Sequence, residues 1–139
     1  MKPERLFADA NLFLRYLTND VPEQADAVEQ LLRRAAAGGL VLVTNPLVMA
    51  EMVWTLETFY QFPRSDIKDK VLAILNTPGL DVADGELILQ AMTWYPEKNV
   101  DFIDAYNAAW MRSLGLKIAC TFDRKYFSRL EGITVMVPG

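Results

Sequence analysis

Short blocks of two kinds alternate along the chain: compact apolar runs, and longer stretches in which apolar residues recur every three or four positions. Arg5 to Ala8 reads as a short buried strand ending at Asp9, and Leu40 to Val43 as a second. Between them, Ala10 to Thr18 reads as a short helix with Leu12, Phe13, Tyr16 and Leu17 as its apolar positions. Asp20-Val-Pro22-Glu23 has the form of a helix start, with a cap, an early proline and an acid three residues on. That helix is expected to reach about Ala37 and stop at Gly38-Gly39. Asn45-Pro46 opens another, which should carry Leu47, Val48, Met52, Val53 and Leu56 inward and end near Pro63. Ser65 should cap a helix through Val71, Leu72 and Leu75 that halts at Asn76-Thr-Pro78-Gly79. A short strand over Leu80 to Val82 precedes a helix from Asp84 to about Tyr95, ended by Pro96. Asp104 should cap a helix of Ala105, Ala108, Ala109, Met111 and Leu114, closed by Gly115. Lys117 to Thr121 and Ile133 to Val137 read as the last strands.

Strands alternating with helices imply an α/β fold with a parallel sheet covered on both faces. Ligands in such folds bind outside the carboxyl ends of the strands. The sequence shows no repeat or linker, and 139 residues suit a single domain, 1–139.

Composition narrows the chemistry. With 52% hydrophobic residues the chain has material for a core without disulfides. Its single cysteine, Cys120, lies in a strand and is expected to be an inert core residue; one cysteine also fits a reducing cytoplasm. No apolar run is long enough to span a membrane, and the start does not read as a signal peptide. Histidine is absent, which excludes Ser-His-Asp and Cys-His centres and a His-ligated zinc. Any metal must then take oxygen ligands, which favours Mg²⁺, Mn²⁺ or Ca²⁺. The net charge of −4 counts against binding nucleic acid by simple attraction, unless the excess acids share a pocket that cations neutralise.

Four acids sit beside apolar segments. Asp9 follows Leu6-Phe7-Ala8 and Asp123 follows Ile118-Ala-Cys-Thr-Phe122, each at a strand's carboxyl end. Glu51 lies at the edge of a helix's buried stripe, and Asp104 at a helix N-terminus. Each has a plainer role available: Asp104 as an N-cap, Glu51 as a half-solvated edge residue, Asp9 and Asp123 as turn caps. No spacing rule joins the four, so their convergence is expected from the fold alone. If they meet, they repel one another and raise each other's pKa. A divalent cation resolves that conflict, and it can polarise a phosphoryl oxygen and activate water.

In order, these segments resemble the motifs of the PIN-domain family, and within it the VapC-like toxins of toxin–antitoxin pairs. The first is Phe7-Ala-Asp9-Ala-Asn11-Leu-Phe-Leu-Arg15-Tyr-Leu17 and the second Pro46-Leu-Val-Met-Ala-Glu51-Met-Val-Trp54. The third is Asp101-Phe-Ile-Asp104-Ala-Tyr-Asn-Ala-Ala109 and the fourth Thr121-Phe-Asp123-Arg-Lys-Tyr-Phe127. The resemblance implies a three-layer α/β/α fold with a central parallel sheet of four or five strands. It implies an endoribonuclease using Mg²⁺ or Mn²⁺, held by Asp9, Glu51 and Asp104 with Asp123 completing the set. Asn11 and Thr121 would support the site by hydrogen bonds, and Asp101 would stand behind Asp104. The products would carry a 3′-hydroxyl and a 5′-phosphate. A homodimer and a small antitoxin partner are also implied, the antitoxin placing a basic group in the acidic groove.

Arg15, Arg124, Lys125 and Arg129 are either contacts to the RNA backbone or solvated surface. Trp54, Tyr60 and Trp94 fit core or dimer packing better than base stacking. An aspartyl-phosphate phosphatase needs an acid two residues after its nucleophile, where this chain has Asn11. That position disfavours a phosphatase without removing it, and a non-catalytic dimeric module with a residual cation site is the other alternative.

Overall fold

The apolar run at residues 40–44 forms the middle strand of a three-stranded parallel sheet in a computed structural model, which describes residues 2–139. The strands are β1 (Glu4–Phe7), β2 (Leu40–Thr44) and β3 (Leu80–Val82), in the order β1-β2-β3. Leu6 pairs with Leu42, and Leu42 with Leu80. Leu40, Leu42 and Thr44 are buried and alternate with half-exposed residues, as a pleated strand requires. The chain divides into two compact units, one up to Gly85 and one from Glu86 to Gly139.

The first unit holds this sheet with α1 (Ala10–Thr18), α2 (Pro22–Ala36), α3 (Pro46–Thr58) and α4 (Arg64–Leu75). Helix α1 packs on α2 and α3, and α3 on α4. Phe13, Met49, Met52, Leu56, Ile67, Val71 and Ile74 are buried almost completely. Helix α1 has the limits expected of it. The Asp9 side chain opens it, and Asn19 closes it in the left-handed region that asparagine tolerates.

Several expectations need correction. Strand β1 is mostly exposed, with Phe7 at 66%, because an edge strand has lateral cover on one side only. Leu47 is also exposed: it shares a face of α3 with Glu51 and Trp54 at the i, i+4, i+7 spacing, while Val48, Met49, Met52 and Val53 turn inward. Helix α3 is apolar almost all round, so its sequence does not mark the buried side. It stops at Thr58, short of Pro63. Asp20 does not cap α2; Val21 stands at that position without a side-chain bond. Pro63, not Ser65, precedes α4.

The second unit contains α5, which begins at the boundary (Gly85–Glu97), α6 (Phe102–Ser113), β4 (Ile118–Cys120), a short 3₁₀ helix (Phe127–Arg129) and β5 (Thr134–Met136). Strands β4 and β5 pair in parallel, with Ala119 opposite Val135. The expected parallel strands flanked by helices are present, five in all among the described residues, as a sheet of three and a sheet of two. Pro96 does not end α5 but lies in its last turn, where its missing N–H removes a single bond and Lys98 N–H still donates to Trp94 O at 2.8 Å. Trp94 is buried, as expected of a core residue. Cys120 is exposed, not a core residue, because Ala119 takes the inward position of β4. Asp101, not Asp104, occupies the position before α6. Among the described residues, no helix is long and apolar enough to cross a membrane.

Candidate metal centre

Asp9 stands where β1 turns into α1. Its carboxylate accepts the Leu12 N–H at 3.1 Å and is otherwise exposed. The backbone just before it is fastened to β2 through both its N–H and its carbonyl. Ala8 N–H donates to Val43 O at 2.9 Å, and the Thr44 hydroxyl donates to Ala8 O at 3.0 Å. Thr44 is 2% exposed, and sequence reasoning passed over it. Its one available signal was a hydroxyl closing an otherwise apolar strand. Asn11 lines the same groove as Asp9, and Arg15 lies further along it. Arg15 is not a free cation: its Nε donates to Gln24 Oε1 at 2.8 Å, and its Nη1 approaches Asp20.

Glu51 is carried by α3, whose start is set by Asn45: the side-chain oxygen accepts the Val48 N–H at 3.1 Å, and Pro46 follows with its φ preset. The Glu51 side chain points to solvent from the face it shares with Leu47 and Trp54.

In the second unit, Asp104 lies in the first turn of α6 and is half-buried. Burial pushes its carboxyl above the ordinary value, and the charges of Asp101 and then Asp123 push the same way. A helix N-terminus favours a carboxylate by roughly 0.3–1 kcal/mol. The upward shift means that desolvation and like-charge repulsion outweigh that help. Asp101 reaches Asp104 because α6 starts three residues earlier than the sequence suggests.

Asp123 is exposed in the turn after β4. Its N–H donates to Thr121 Oγ1 at 3.0 Å, and its Oδ1 accepts the Lys125 N–H at 2.9 Å. Thr121 therefore shapes the turn that presents Asp123. Lys125 and Arg129 lie over the Tyr126 ring at 5.0 and 5.4 Å, and Arg129 also donates to Asn99 O, while Arg124 is exposed.

Among the described residues, neither unit gathers three His, Cys, Asp or Glu side chains into a ready-made metal cage. What the second unit shows is a half-buried carboxylate whose charge is opposed by burial and by the charges of Asp101 and Asp123, and the donors are hard oxygens. Both features fit a divalent cation of the Mg²⁺ or Mn²⁺ type, which would remove the repulsion by taking up the charge.

The family model of the PIN domain matches residues 6–133. The chain belongs to the PIN-domain family. The matched stretch of this PIN domain runs through both units and includes Asp9, Glu51, Asp104 and Asp123. It is similar to a VapC ribonuclease of Aquifex aeolicus, with 26% identity over 118 residues, 85% of this chain and 87% of that protein. It also resembles the crystal structure of Mycobacterium tuberculosis VapC20, described as a sarcin-ricin loop cleaving toxin. That match has 22% identity, covers 86% of this chain and 91% of the other, and has a TM-score of 0.37.

Proposed function

We propose that this PIN domain is a metal-dependent endoribonuclease that hydrolyses RNA phosphodiester bonds, and that it is the toxin of a toxin–antitoxin pair. The observation that carries the reading is Asp104, a half-buried carboxylate whose charge is opposed by burial and by two neighbouring acids. A protein keeps such an arrangement at a cost in stability, and carboxylates opposed by burial and like charge are candidates for functional sites. The similarity to a protein named as a VapC ribonuclease points to RNA as the substrate.

In this reading the two units act as one domain. Asp9, Glu51 and Asp104 hold Mg²⁺ or Mn²⁺, with Asp123 as the fourth acid. When bound, the cation supplies Lewis acidity toward a phosphoryl oxygen and lowers the pKa of water. The chain's own residues do the rest. Asp9 is aimed by its bond to Leu12 N–H and by the fastening of Ala8 to β2. Asp123 is aimed by the Thr121 turn, and it would orient a second ion or the attacking water. With no histidine in the chain, no imidazole takes part in moving protons. Asp101 sets the charge around Asp104, and Asn11 hydrogen-bonds substrate or ligand. Arg124 contacts the RNA backbone. A homodimer and a small antitoxin with a basic group for the acidic groove complete the proposal, working in the cytoplasm.

The test is cleavage of pooled RNA in Mn²⁺ by the wild type, Asp9→Asn and Asp104→Asn. Wild-type cleavage leaving 5′-phosphates, lost in both variants, is the expected result. Cleavage that survives both substitutions, or no cleavage by the wild type, refutes it; the latter favours a non-catalytic module.

A further inference from the structure

Resting on the ribonuclease reading, we propose that Arg15 clamps an RNA backbone phosphate next to the scissile one, and that Asp20, Gln24 and Tyr60 position it. Arg15 lies on α1 six residues beyond Asp9, a rise of about 9 Å along the helix axis. Both line one groove of about 360 Å³ between α1 and α2, with Asn11 and Gln24 as its other polar residues and Leu12 and Val28 as apolar wall. A cation at that distance meets a flanking phosphate and not the reacting one.

The way Arg15 is held argues for a ligand. Its Nε donates to Gln24 Oε1 at 2.8 Å, which fixes the plane of the guanidinium. Its Nη1 lies 3.3 Å from both Asp20 oxygens, long for a charge-assisted bond, and its Nη2 has no hydrogen bond to another described residue. The side chain remains 28% exposed. Asp20 is bound more closely by other groups: it accepts the Tyr60 hydroxyl at 2.6 Å and the Thr18 hydroxyl at 2.9 Å. Those two bonds, with a smaller contribution from Arg15, hold its carboxyl below the usual value. Asp20 is therefore a fixed post that orients the guanidinium without closing its fork, and an open planar fork suits a phosphate.

The plainer role is the ion pair with Asp20 at the end of α1, where a positive charge also suits the helix dipole. That role needs neither Gln24 on Nε nor an open Nη2, and it predicts no effect on RNA. In a chain of net charge −4, a backbone clamp beside an acidic site has an evident use.

The experiment measures KM and kcat for a short oligoribonucleotide in Mn²⁺, and the salt dependence of its binding in an Asp104→Asn background. Arg15→Ala is expected to raise KM on the order of tenfold or more, with kcat changed less than about twofold. It should also lower the slope of log affinity against log salt by about 0.7, the loss of one single-strand phosphate contact. Arg15→Lys, Gln24→Met and Tyr60→Phe keep the charge, so they should keep the slope while raising KM by a smaller factor. A folded Arg15→Ala with wild-type KM and slope overturns the clamp; should that variant not fold, unchanged KM in Gln24→Met does so. Failure of the wild type to cleave RNA overturns the ribonuclease reading instead, whereas wild-type cleavage with an indifferent Arg15→Ala overturns the clamp alone.

Discussion

At Asp104, burial and the charges of two neighbouring acids oppose the ionised form of a single carboxyl. Its folded pKa lies above the ordinary 3.8, so the folded chain holds that proton more tightly than the unfolded chain. The group's contribution to stability is present at low pH and is lost as pH rises from 3.8 through the folded value. Asp104→Asn removes the cost, so without metal it should melt higher than the wild type at neutral pH. The advantage should vanish in acid, where the carboxyl is protonated in both states. Saturating Mn²⁺ should raise the wild type's melting temperature and leave the variant's nearly unchanged, since only a ligand that binds the folded state stabilises it. A wild type that melts above Asp104→Asn in a chelator at neutral pH contradicts this account. The position of Asp104 was not legible from sequence: two acids three residues apart can each cap a helix, and packing of Phe102 into the core decides that the helix starts there.

At the scale of elements, one junction sets the helix that carries Glu51 and another fixes a turn leading into the sheet. Asn45 opens α3, which carries Glu51, and its cap bond meets an otherwise unpaired N–H. Asn45→Ala should cost about 1 kcal/mol, seen as a lower urea midpoint, and Asn45→Asp should restore most of it. Gly79 joins the turn after α4 to β3 at a φ of +84°, where Leu42 N–H donates to its carbonyl at 2.9 Å. A Cβ there would strike the Ala35 carbonyl and stand 2.7 Å from Ala35 Cβ. Gly79→Ala should therefore cost about 2–4 kcal/mol, from overpacking and the left-handed backbone together. An urea midpoint equal to the wild type's would show that the α2 end yields more easily than its backbone contact suggests. The limits of α1 and the start of α3 were legible because caps and turns act within a few residues. The exposure of Leu47 was not, since α3 offers apolar residues on nearly every side and only its neighbours choose among them.

For the whole molecule, the proposed reading makes a divalent metal the variable that activity should follow. Protein stripped with a chelator should show no RNA cleavage, Mn²⁺ or Mg²⁺ should restore it, and Asp9→Asn should remain at least about a hundredfold slower at saturating Mn²⁺. Cleavage undiminished by the chelator would remove the cation from the reaction. By itself the sequence determined the α/β class, the parallel strands, the run of helices and the exclusion of any histidine-based centre. These depend on periodicity, caps and composition, which act locally or by simple exclusion. Only the tertiary structure decided that Thr44 fastens Ala8, that Asp20 answers to Tyr60 forty residues away, that Cys120 faces solvent, and that Asp101 and Asp123 weigh on Asp104. Those outcomes depend on which distant side chain arrives to fill, bond or crowd a position, and no local pattern in the chain encodes that.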